Sequence, residues 1–155
     1  MKTAIVYTSG TGNTKLLADE IVKKVGACDY VGKPADEALE SDMLYVGFWT
    51  AKFTCTPDIE NFLKKLSDKK IFLFGTAGYD DTPEYFDKIL DSVAAHVKDS
   101  NQIVGRFMCQ AKVSDGKKKA LEAADSEKFH SMQEKLAKGD NRPDKQDLES
   151  LLAQI

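Results

Sequence analysis

Residues 8–14, Thr-Ser-Gly-Thr-Gly-Asn-Thr (TSGTGNT), decide how the rest of the chain is read. They follow TAIVY (3–7), a short apolar and partly β-branched run with the character of a buried strand. They precede Leu16, Leu17, Ile21, Val22 and Val25 at helical spacing, with Gly26 as the stop. A glycine-rich turn that leaves a parallel strand and enters a helix N-terminus gathers free backbone N–H groups at the positive end of the helix dipole, which makes an anion site. A nucleotide P-loop would need a second glycine directly before Lys15, and none is there. A dinucleotide turn would accept Gly10 and Gly12 but needs a third small residue where Lys15 stands. What remains is a loop of side-chain hydroxyls and one amide: Thr8, Ser9, Thr11, Asn13 and Thr14. Together with backbone N–H groups, such a set can surround a terminal phosphate monoester without any cationic side chain.

Working outward, the pattern alternates. CDYV (28–31) reads as a short strand, MLYVGFW (43–49) and KIFLFGTAG (70–78) as central strands, and IVGRFMC (103–109) as a fifth. Between them, Ile59, Phe62, Leu63 and Leu66 form one helix face, with Thr56 as N-cap and Pro57 as first helical residue. Phe86, Ile89, Leu90, Val93 and Val97 form another. Strands that are apolar on both faces imply a parallel sheet covered by helices, an α/β domain. Their order cannot be read from the pattern. From Gln110 onward there are no strand candidates: 117–138 reads as one or two helices. Pro143 reads as the first residue of a last helix, with Leu148, Leu151, Leu152 and Ile155 on one apolar face that docks on the sheet.

Composition narrows the classes. A length of 155 residues with 42% hydrophobic content indicates one domain with a true core. A net charge of -3 sets no field toward nucleic acid, and no run reaches membrane-spanning length. Cys28, Cys55 and Cys109 are sparse and odd in number, which points to reduced thiols in a cytoplasmic protein. Buried structural thiols are the reading for Cys55 and Cys109, and His96 and His130 receive no catalytic role.

The stretch SGTGNT followed by an amphipathic helix resembles the phosphate loop of flavodoxins, and the resemblance covers about residues 1–109. It implies a flavodoxin-like three-layer sandwich with a five-stranded parallel sheet of order 2-1-3-4-5, and FMN bound at the strand ends. It implies that Thr8, Ser9, Gly10, Thr11, Gly12, Asn13 and Thr14 hold the phosphate. Trp49, Thr50, Ala51, Lys52 and Phe53, with Thr76, Ala77, Gly78 and Tyr79, would clasp the isoalloxazine ring. Tyr79 fills the aromatic position of the second ring loop, and Trp49 is either flavin wall or core. The partner implied is a redox protein, either a reductase or an iron–sulfur or flavin enzyme, with no nucleic acid and no membrane.

Three departures from the family stand out. The chain is only mildly acidic where flavodoxins are strongly so. Lys52 stands where many put a glycine whose peptide flips toward the flavin; a non-glycine residue at positive φ costs about 1 kcal/mol, which implies a less stable one-electron-reduced flavin. Its charge implies a raised potential for the fully reduced anion. Finally, residues 110–142 form a segment beyond the short-chain pattern, placed between the core (1–109) and the final helix (143–155), that walls the flavin or meets a partner. Two alternatives to an electron carrier stay open: an FMN-dependent NAD(P)H:quinone-type or small-molecule reductase, and a flavin-free interaction domain on the same fold.

Overall fold

The computed structural model describes residues 1–155. Five strands form one sheet: β1 (Thr3–Tyr7), β2 (Tyr30–Gly32), β3 (Met43–Trp49), β4 (Lys70–Ala77) and β5 (Gln102–Gln110). The order is β2-β1-β3-β4-β5 and every pairing is parallel, as the resemblance implies. The helices are α1 (Asn13–Val25), α2 (Pro57–Lys65), α3 (Pro83–Ala94), α4 (Asp115–Ala124), α5 (Ser126–Lys138) and α6 (Lys145–Leu152), with a 3-10 turn at Asp36–Glu40.

The two-residue period of the strands divides the core. Val6, Val46, Phe48, Ile71 and Leu73 face Ile59, Phe62 and Leu63 of α2 and Ile89, Leu90 and Val93 of α3. Ile5, Phe72, Phe74, Phe107 and Cys109 face Leu17, Ala18 and Ile21 of α1 and Leu151 of α6. Leu148 and Ile155 join this second cluster, so the final helix docks on the sheet by the expected stripe.

The sheet interior is built of large and small residues matched across neighbouring strands. Gly47 pairs with Phe74, Phe48 with Gly75, and Phe72 with Gly105. Each phenyl ring lies over the facing glycine. A Cβ would come within 2.3 Å of the Phe74 ring at Gly47, 2.4 Å of Phe48 at Gly75 and 2.5 Å of Phe72 at Gly105. Gly47→Ala is therefore expected to cost about 2 kcal/mol by overpacking, read as a lower midpoint in urea unfolding with an unchanged slope.

Several boundaries differ from the sequence reading by one to three residues, and one open choice is decided. The second strand starts at Tyr30, because Cys28 and Asp29 lie in the approach to it and Asp29 caps the sheet end through Thr3 N at 2.8 Å. The 117–138 region is two helices, broken at Asp125, whose extended backbone and side chain cap α5. Pro143 is not the first residue of the last helix. It precedes Asp144, which is the N-cap: Asp144 accepts from the backbone N–H of Asp147, and Asp147 accepts from the backbone N–H of Asp144, each at 2.9 Å.

Candidate functional site

In a parallel sheet all strand carboxyl ends lie along one edge, so the loops after β1, β3, β4 and β5 meet there. They enclose a cavity of about 590 Å³.

The loop after β1 leaves a run of backbone donors free, while most of its side-chain hydroxyls are engaged within the fold. The backbone N–H groups of Ser9, Gly10, Thr11, Asn13 and Thr14 have no acceptor within the chain. The Ser9 hydroxyl accepts from the N–H of Gly12 at 3.0 Å and of Lys15 at 3.3 Å, which curls the loop around itself. Gly12, at φ +96, makes the turn into α1, a conformation that side chains rarely adopt. Thr14 is almost fully buried: its hydroxyl reaches Phe48 O at 3.3 Å and Thr76 Oγ1 at 3.1 Å. It pins the start of α1 to the ends of β3 and β4. Asn13 Nδ2 donates to Thr11 Oγ1 and to the carbonyl of Lys112, both at 3.2 Å, linking this loop to the chain after β5.

The loop after β3 begins at Trp49. A Cβ on Gly10 would lie 3.7 Å from the Trp49 indole, and the Lys117 ammonium lies 4.6 Å from the ring centroid. Thr50 Oγ1 donates to Thr76 O at 2.8 Å, holding this loop to β4. Ala51 and Thr54 then exchange backbone hydrogen bonds of 2.8 and 3.2 Å. The turn they close has both central residues left-handed, Lys52 at φ +52 and Phe53 at φ +65. The conformation that makes Lys52 costly is thus the one adopted. Asparagine tolerates it better. Lys52→Asn is expected to stabilise the fold by about 1 kcal/mol and to raise the thermal midpoint by about 2–4 °C, measured by thermal unfolding of the flavin-free protein.

The loop after β4 carries Gly78 and Tyr79. A Cβ on Gly78 would meet Val113 at 2.2 Å, so this glycine lets the chain after β5 close against the cavity. Tyr79 is 40% exposed at the rim. The fully buried Gln110 straps the same loop, donating to Gly78 O at 3.1 Å and to Lys135 O at 2.7 Å.

Of the residues singled out in the sequence, Ser9, Gly10, Thr11, Asn13, Thr14, Trp49, Thr50, Ala51, Lys52, Phe53, Thr76, Ala77, Gly78 and Tyr79 line the cavity. Thr8 and Gly12 do not; they lie behind the loop they shape. Residues missed by sequence reasoning complete the wall: Tyr85 at the start of α3, and Ala111, Lys112, Val113, Ser114, Lys117, Ala120 and Leu121. Burial pushes the Tyr85 phenol up to about 12, so it stays a neutral phenol. The segment after β5 therefore lines the cavity. The signal that could have found it is topological, since the loop after β5 must emerge at the same sheet edge.

The cavity suits a flavin mononucleotide on observations of the chain itself. Unpaired N–H groups stand at one end, and Trp49, Phe53, Tyr79 and Tyr85 offer flat apolar walls elsewhere. The buried hydroxyls of Thr8 and Thr54 have no partner, and both lie on the loops that shape the cavity. The thiols of Cys55 and Cys109 are outside the lining; both are buried, and burial pushes each thiol up. His96 pairs with Glu60 at 3.2 Å, also outside the lining.

Comparison with known proteins agrees. A family model described as a flavodoxin domain matches residues 4–155. The flavodoxin-like domain-containing protein BilS of Clostridium symbiosum is 35% identical over 135 residues, covering 75% of this chain and 71% of that protein. The BilS protein of Clostridioides difficile is 29% identical over 160 residues, covering 96% and 90%. Among solved structures, a flavodoxin from the domain Archaea aligns over 99% of this chain and 93% of its own, with a TM-score of 0.55 at 19% identity. No helix of the chain is long and apolar enough to cross a membrane. Loop, sheet order and sequence relatives point the same way: the chain belongs to the flavodoxin family of FMN-binding electron carriers.

Proposed function

We propose that this chain binds FMN in the cavity and passes electrons to or from a separate redox protein, a reductase or an iron–sulfur or flavin enzyme, in the cytoplasm. The observation that carries the reading is the loop Ser9–Thr14, whose unpaired backbone N–H groups serve no fold contact and suit an anion. In this reading Ser9, Gly10, Thr11, Asn13 and Thr14 hold the phosphate. Trp49 and Tyr79 flank the ring, and Thr50–Phe53 with Thr76–Gly78 border its edge. Bound FMN supplies one- and two-electron transfer. The chain orients it, and the wall after β5 keeps water from one side. The free thiols Cys28, Cys55 and Cys109 accord with a reducing compartment.

The test is to incubate purified protein with FMN, desalt it, and record the visible spectrum; flavin bands that stay with the protein support the reading. Adding NADPH alone should then leave those bands unbleached until a separate reductase is supplied. Fast bleaching by NADPH alone would transfer the chain to the stand-alone reductases, and a colourless protein would make it a flavin-free interaction domain.

A further inference from the structure

The charged side chains on the cavity lining are Lys52, Lys112 and Lys117, and no carboxylate lines it. This inverts the chain as a whole, which has 25 acidic and 22 basic residues. None of these lysines has an ion-pair partner, whereas the acids of the neighbouring loop are engaged: Asp80 with Lys135 at 3.3 Å and Asp81 with Arg142 at 3.5 Å. A fourth cation, Lys88, stands 4.9 Å over the ring of Phe53. Asp115 and Glu84 are exposed nearby in sequence but are not part of the lining. Phe53, 51% exposed, and Tyr79, 40% exposed, are large apolar side chains at this same mouth.

Exposed aromatic rings among unpaired cations have the composition of a protein interface, with apolar anchors inside a polar rim. A cationic mouth on an acidic chain also turns an approaching partner toward it. We propose that this mouth docks an electron partner whose contact face is acidic: Lys112 and Lys117 meet carboxylates around the partner's redox centre, and Phe53 and Tyr79 pack at the middle of the contact. This rests on the electron-carrier reading. A role for the lysines in holding the cofactor phosphate does not account for Lys52, which sits on the turn after β3 and not on the loop with the unpaired N–H groups.

The experiment uses FMN-loaded, isotope-labelled protein and two probes, an acidic [2Fe–2S] ferredoxin and a basic cytochrome c. Amide shifts on adding oxidised ferredoxin are expected at Phe53, Tyr79, Lys112 and Lys117 and are expected to fade with salt. In stopped flow, reduced ferredoxin gives one electron to the bound oxidised flavin, its iron passing from Fe(II) to Fe(III). The rate is expected to fall about tenfold from about 10 to about 300 mM salt. The double variant Lys112→Gln/Lys117→Gln, held at saturating FMN, should lower the low-salt rate about fivefold.

Shifts on another face, or a mouth that prefers cytochrome c, overturn the proposal. So do equal shifts from a free dicarboxylate alone, which would make a small anion the occupant. A double variant that changes only the ratio of FMN to riboflavin affinity also overturns it, by assigning the lysines to the cofactor phosphate. Salt-sensitive shifts at the mouth with no electron passing in either direction would leave the docking surface standing and reject the carrier reading instead.

Discussion

Replacing Trp49 with alanine is expected to weaken FMN affinity by about 3 kcal/mol, about a hundredfold in Kd. The indole joins two parts of the cavity: a Cβ on Gly10 would come within 3.7 Å of it, and Lys117 lies 4.6 Å from its ring centroid. Truncation removes the flat wall, releases the Lys117 contact and leaves the anion loop without its packing neighbour. Tyr79, 40% exposed, has less to lose, so Tyr79→Ala is expected to cost about 1 kcal/mol. Quenching of flavin fluorescence on titration measures both. An unchanged affinity in Trp49→Ala would make Trp49 a core residue and move the ring site elsewhere.

The second large effect lies away from the cofactor. Asp147 is 8% exposed in its side chain and is held on two sides. Arg142 donates from Nε to one carboxylate oxygen at 2.9 Å and from a terminal nitrogen to the other, and the backbone N–H of Asp144 adds a third donor at 2.9 Å. Removing Asp147 leaves the half-buried Arg142 guanidinium with only its longer 3.5 Å contact to Asp81. Asp147→Ala is expected to cost about 3 kcal/mol, with part of that from the lost helix cap. Chemical unfolding reads it directly; a loss below about 1 kcal/mol would rank the pair with ordinary surface ion pairs.

The same group predicts a pH dependence. Burial pushes the Asp147 carboxyl up, but the hydrogen bonds from Arg142 and from the Asp144 backbone outweigh it, and the carboxyl ends below its ordinary value of 3.8. A depressed carboxylate favours the folded state fully above the unfolded value, and its contribution fades as pH falls through the folded one. Wild-type stability should therefore drop below about pH 4 more steeply than that of Asp147→Asn, in unfolding curves taken between about pH 2 and 6.

How legible this was depended on how local the cause is. The loop Ser9–Thr14 could be read because its turn chemistry is written in consecutive residues and needs no tertiary partner. The strands could be read because burial leaves unbroken apolar runs such as Met43–Trp49. Their order came only through the resemblance, since pairing is a property of the whole sheet. Tyr85 was missed because its position looks like any residue in the first turn of a helix. Lys112 was missed because it lies in the connection between β5 and α4, and Lys117 to Lys119 read as a solvated helix face rather than a binding patch because α4 has no buried residue to give it a strong apolar stripe; the segment becomes a wall through Gly78, Asn13 and Trp49, all distant in sequence. Pro143 was misplaced although the better signal was present: Asp144 and Asp147 have the three-residue spacing of a reciprocal cap.

The glycine–phenylalanine rungs at positions 47 and 74, 48 and 75, and 72 and 105 reach beyond this one chain. What packing holds constant there is the summed volume of two residues on adjacent strands, not the identity of either. A substitution that enlarges one member is tolerated only with a shrinking change in the other, and each single step passes through a strained or hollow intermediate. Drift at these positions is therefore expected to proceed by paired replacements. Among descendants of this sheet, the two columns of each rung should vary together even where neither is invariant.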